Sequence, residues 1–113
     1  MIEQPLTLPC GAEVPNRLCK AAMTEGLASP SGEPTPALNQ LYGIWSDGGA
    51  GLLLSGNVQI DGDHLERPGN VIVDREPSAT TQAALEAWAA AGTRSGNHFW
   101  AQISHAGRQC QKI

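Results

Sequence analysis

Gly48-Gly49-Ala50-Gly51-Leu52-Leu53-Leu54-Ser55 is the stretch that decides the fold. Its glycines end whatever precedes them, and the aliphatic run behind them has strand length without polar alternation. Continuous apolar strands belong in sheets covered on both faces, and such sheets are characteristically parallel. Upstream, Thr35 supplies a helix cap, Pro36 suits the first helical position, and Leu38, Leu41, Tyr42 and Trp45 recur at helical spacing. The stretch is thus a turn from helix into strand. A dinucleotide-binding reading of the glycines fails, because that fingerprint follows a strand and opens a helix, and Leu54 stands where its third glycine would be.

Working outward, Leu6-Thr7-Leu8 and Glu13-Val14 flank a turn-forming group and predict a small hairpin. Arg17 to Met23 carries a short strand. Residues 25–36 contain three prolines and two glycines and are a loop, long enough to suggest a functional one. Residues 61–70 are polar and loop-like, and Val71-Ile72-Val73 is a brief strand or a buried loop anchor. A second helix starts at Ser78 or Thr80, with Leu85, Trp88, Ala89 and Gly92 on one face. After Gly96-Asn97, His98 to Ser104 is a third strand. The order is hairpin, then β-α-β-α-β, which means right-handed crossovers and a parallel α/β sheet. A barrel of this kind needs about 250 residues, so 113 residues are expected to form one incomplete domain spanning 1–113.

Composition narrows the function classes. The formal net charge of −4 argues against a nucleic-acid surface and against a basic membrane footprint. Cys10, Cys19 and Cys110 are odd in number and lack C-x-x-C spacing, so reduced thiols are expected. The start of the chain shows no basic and apolar leader pattern, and the reading is a soluble, cytoplasmic protein.

No histidine pair has metal-ligand spacing, so no metal is expected. His64 sits in a charged loop and is expected to be solvated. The spacing of His105 and Cys110 leaves a Cys-His nucleophile open, although a lone cysteine of this kind is usually inert. More informative are the strand ends, because ligands of parallel α/β folds gather at the C-terminal ends of strands. Thr24, Asn57 and Gln102 lie at three such ends and suit a flat, polar-edged heterocycle; equally, Asn57 and Gln102 could merely tie down loops.

Pro15-Asn16-Arg17-Leu18 followed by Ala21-Ala22-Met23-Thr24 resembles the first barrel strand of the Old Yellow Enzyme family, the FMN-dependent NADH:flavin oxidoreductases. The Gly48–Leu54 block is similar to that family's approach to its second strand. Ala101-Gln102-Ile103-Ser104-His105-Ala106-Gly107-Arg108-Gln109 resembles its third, with the H-x-G-R signature. The resemblance implies the N-terminal part of a (β/α)8 TIM barrel with FMN at its mouth, passing hydride from NADH or NADPH to an activated alkene or similar small-molecule acceptor.

It further implies that Ala22, Met23 and Thr24 line the isoalloxazine edge, with Thr24 on the O4/N5 side, and that Gln102 meets the pyrimidine end. Asn57 falls where the family often has Ala or Gly, and Ala22 where many members have Pro. His105 and Arg108 are expected to lock a loop. The family's later catalytic and phosphate-binding elements have no counterpart here, so no catalytic residue is assigned and the chain alone is expected to be inactive. The alternative is a non-catalytic α/β module that self-associates through its open sheet edge; a doubly wound nucleotide binder ranks last.

Overall fold

The computed structural model describes residues 1–112. Strands β1 (Leu6–Thr7) and β2 (Glu13–Val14) form the expected antiparallel hairpin. Then come β3 (Cys19–Lys20), helix α1 (Pro36–Asp47), β4 (Leu52–Gln59), β5 (Val71–Ile72), helix α2 (Ala79–Thr93), β6 (His98–Ser104) and a 3-10 turn, Gly107–Gln109. Central β4 pairs in parallel with β6 on one side, and with β3 and then β5 on the other. Consecutive crossover strands are therefore neighbours, as in a barrel wall.

Both helices begin as the sequence dictates. The Thr35 hydroxyl caps α1 by accepting from Leu38 N, and the Ser78 hydroxyl caps α2 by accepting from Thr81 N. Helix α1 ends at Gly48, and Gly49 turns the chain at φ +95°.

The helices pack on each other and on the same face of the sheet. Between them and the sheet lies a core of Leu38, Tyr42, Leu53, Val58, Val71 and Trp88. Tyr42, fully buried, meets Trp45, Trp88 and Phe99 at ring-centroid distances of 5.0, 5.3 and 4.7 Å. Beyond their buried area, such aromatic pairs contribute about 0.5–1.5 kcal/mol each.

A polar lock fastens the far ends of the helices. The Ser46 hydroxyl donates to Asn97 Oδ1 (2.5 Å) and accepts from Ser95 N (3.0 Å), while Asp47 pairs with Arg94. The Arg94 guanidinium, then the Ser95 hydroxyl, hold the Asp47 carboxyl down to about 2.

Three expectations need correction. The strand expected over 17–23 is laddered only at Cys19–Lys20, because its partner β4 meets it only through Leu52 and Leu53. Ala89 is exposed, since the buried stripe of α2 runs through Trp88 and Gly92. The continuous apolar run of β4 is covered by helices on one face only: Leu53 is buried, whereas Leu52 and Leu54 are half-buried.

Candidate functional site

The signature motifs first act as fasteners. Asn16 bridges the start of β3 to the turn before β4: its Oδ1 accepts from Leu18 N (3.0 Å) and Gly51 N (2.8 Å), and its Nδ2 donates to Gly49 O (2.7 Å). This brings Pro15-Asn16-Arg17 and Gly48–Gly51 together at the N-terminal end of the sheet. There the His98 imidazole also donates from Nε2 to Glu13 O (2.8 Å), tying β6 to the hairpin. At the other end, Asp61 Oδ2 accepts from His64 Nδ1 (2.8 Å) and from His105 Nε2 (3.2 Å), while Gly107 N donates to His105 Nδ1 (3.0 Å). His105 thus locks the loop after β6 to the loop after β4. His64 is exposed, as expected, and also bonds Asp61, which lies three residues before it in the same turn. These contacts, led by the His64 hydrogen bond, hold the Asp61 carboxyl below its ordinary range.

His105 is engaged with Asp61 and Gly107 and not with Cys110. All three cysteines are free. Among the described residues no group of three His, Cys, Asp or Glu side chains is placed to hold a metal ion, and no helix is long and apolar enough to cross a membrane.

The strand ends named by the sequence do converge. Strand alternation puts Phe99 toward the helices and therefore Trp100 and Gln102 on the opposite face, the one that would line a barrel interior. On that face Gln102 Nε2 donates to Asn57 Oδ1 at 2.6 Å. The register places these two side by side only because β4 carries an extra residue between Leu54 and Asn57, a β-bulge at Ser55–Gly56.

The bulge brings β3's exit close. A Cβ on Gly56 would lie 2.5 Å from the Met23 carbonyl oxygen and 2.9 Å from Thr24 Cα, so only glycine allows this approach. Met23 and Thr24 therefore sit against Gly56, one residue from Asn57, with Met23 52% exposed. Ala22, half-buried, leads into them. Four of the five expected residues thus gather through direct contacts or through Gly56, and Ala22 adjoins them along the chain.

Sequence reasoning missed what holds the bulge. Glu25 Oε1 accepts from the Tyr42 hydroxyl (2.9 Å) and from Gly56 N (2.8 Å), and Gly56 N also reaches Tyr42 Oη (3.1 Å). The Ser55 hydroxyl donates to Gly56 O (2.6 Å) and accepts from Gln102 N (2.9 Å). Burial, and the Glu25 carboxylate beside it, push the Tyr42 phenol far above its ordinary range, so it stays a neutral donor. Lys20 completes this side, donating to Leu54 O (2.7 Å) with its ammonium 4.3 Å from the Trp45 ring centroid. Burial lowers the Lys20 pKa, and Glu25 opposes that. One signal was available: Gly56 stands inside a strand, a common mark of a bulge.

Fold and site together define a class: part of the wall of a parallel β/α barrel, with an uncharged hydrogen-bonding edge at the C-terminal ends of its strands. Comparison with solved structures agrees. The Old Yellow Enzyme homologue of Zymomonas mobilis superposes with a TM-score of 0.76 at 23% identity, over 92% of this chain and 28% of that one. Morphinone reductase gives 0.81 at 22% identity, over 97% and 28%. These likenesses establish the fold.

In sequence, the chain is 37% identical over 107 residues to an NADH-dependent flavin oxidoreductase of Hypocrea jecorina, covering 94% of this chain and 27% of the relative. It is 39% identical over 107 residues to one of Neonectria, covering 94% and 14%, and 34% identical over 105 residues to one of Talaromyces variabilis, covering 92% and 25%. No protein-family model matches the chain. In sequence the chain is thus similar to part of several NADH-dependent flavin oxidoreductases, and in fold to part of the Old Yellow Enzyme barrels. It spans about a quarter or less of the length of the curated relatives it matches.

Proposed function

We propose that this chain supplies the first three barrel strands of an FMN-dependent oxidoreductase that carries hydride from NADH or NADPH to an activated alkene or similar small acceptor. The observation that carries the reading is the hydrogen-bonded Asn57–Gln102 pair beside Met23–Thr24, at the C-terminal ends of adjacent parallel strands. These are two neutral side-chain amides beside a threonine, and such groups fit the edge of an isoalloxazine ring, where carbonyls and ring nitrogens alternate. FMN, when bound, supplies two-electron hydride chemistry. Ala22, Met23, Thr24, Asn57 and Gln102 would hold it: Gln102 and Asn57 by their amides, Thr24 by its hydroxyl, Met23 and Ala22 by backbone and apolar contact. No residue of this chain is given a proton-transfer step, and the polypeptide by itself is expected to be inactive and, in the cell, cytoplasmic.

A chimera tests this reading, with residues 1–112 replacing the matching segment of the Hypocrea jecorina relative. The expected product is yellow, retains flavin through gel filtration and oxidises NADH. A folded chimera without flavin would contradict the reading.

A second reading rests on the sheet edge. Among the described residues β6 pairs only with β4, and Ile103 on it is 64% exposed. Such an edge invites pairing with another strand, and a module that self-associates there would run as a homo-oligomer whose size falls on dilution.

A further inference from the structure

We propose that Glu25 is a positioning residue for the site, holding the Ser55–Gly56 bulge so that Asn57 lies beside Gln102 and Thr24; its purpose, though not its geometry, rests on the flavin reading above. A bulge leaves backbone groups without ladder partners, and each one needs a partner if it is buried. Here the Gly56 N–H is taken by Glu25 Oε1 and Tyr42 Oη, and the Tyr42 hydroxyl donates to the same Glu25 oxygen. The three form a closed triangle that joins β3's exit, the middle of α1 and the bulge of β4.

The Ser55 hydroxyl takes the Gly56 carbonyl and the Gln102 N–H on the other side. Beside the bulge so fixed, Asn57 Oδ1 accepts from Gln102 Nε2 at 2.6 Å. Glu25 itself follows Thr24 directly, so the carboxylate that holds the bulge is anchored one residue from Thr24. A slip of the bulge would turn Asn57 away and separate the two amides.

The test is nuclear magnetic resonance of the whole chain carrying Glu25→Ala, Glu25→Gln or Tyr42→Phe. In Glu25→Ala the Gly56 backbone amide and the side-chain amides of Asn57 and Gln102 are expected to shift, while the Asn97 side-chain amide, in the helix lock, stays in place. Glu25→Gln keeps an acceptor and is expected to restore all three signals. Unmoved Asn57 and Gln102 amides in a folded Glu25→Ala chain would overturn the proposal. Should that variant fail to fold, Tyr42→Phe decides: smaller shifts of the same signals support positioning, and none overturns it.

In the chimera, Glu25→Ala is expected to weaken flavin binding roughly tenfold, the scale of one lost charge-assisted hydrogen bond, with recovery in Glu25→Gln. Amide shifts without any flavin binding would sink the flavin reading alone and leave the positioning role standing.

Discussion

The two sides of the central sheet are built from different chemistry. Toward the helices, Tyr42, Trp88, Phe99, Leu53 and Leu38 interlock, two capped helices cover them, and the Ser46–Asn97 and Asp47–Arg94 contacts close the far end. At the C-terminal strand ends Met23, Trp100 and Gln102 are exposed, and the Asn57–Gln102 side-chain pair joins β4 to β6. Stability is concentrated on the first side, and the proposed flavin contacts lie on the second. The Ser55–Gly56 bulge, gripped from the helix side by Glu25 and Tyr42, is where the first controls the second.

Substitutions should separate the two sides. Tyr42→Ala removes the ring at the centre of the helix-side core and should cost about 3–5 kcal/mol, enough to unfold the chain in a thermal melt. Gly56→Ala pushes a methyl into the Met23–Thr24 backbone, with an expected cost of about 1–3 kcal/mol and, in the chimera, loss of flavin even where the fold survives. Gln102→Ala, on the exposed face, should leave stability within about 0.5 kcal/mol while weakening flavin binding in the chimera about tenfold. If Gln102→Ala unfolds the chain instead, the division between the two faces is wrong.

The smallest effect concerns pH. The folded Asp47 carboxyl is held at about 2 against an ordinary 3.8, so its contribution to stability is complete above the ordinary value and lost as pH falls toward 2. Melts from pH 5 to pH 2 should therefore show a steeper acid loss in the parent than in Asp47→Asn. The difference should shrink with added salt, because the pair is exposed.

Much of the helix side was legible in the sequence. Thr35-Pro36, the Leu38-to-Trp45 spacing and Gly48-Gly49 mark α1 from cap to stop, and Gly51–Ser55 and His98–Ser104 mark the two long strands. These are local signals, set by propensity and periodicity. The exposure of Ala89 is not legible, because a helix as alanine-rich as α2 leaves the phase of its buried face weakly marked. The triangle of Glu25, Tyr42 and Gly56 was not legible, since its members lie in a loop, a helix and a strand up to 31 residues apart. Nor was the junction of His64 and His105 on Asp61, where two loops meet only after folding. Strand ends and motif resemblance point to the site residues; that Asn57 faces Gln102 depends on one extra residue in β4, which no periodicity announces.

The most direct test of the contrast between the faces is a titration of FMN with the purified 113-residue polypeptide, followed by flavin fluorescence with gel filtration alongside. A cooperatively folded chain whose fluorescence signal does not saturate, and which elutes without flavin, is the expected result: a finished helix side and an open ligand face. Tight, stoichiometric quenching with co-eluting flavin would show that the chain closes a pocket by itself, and would contradict it.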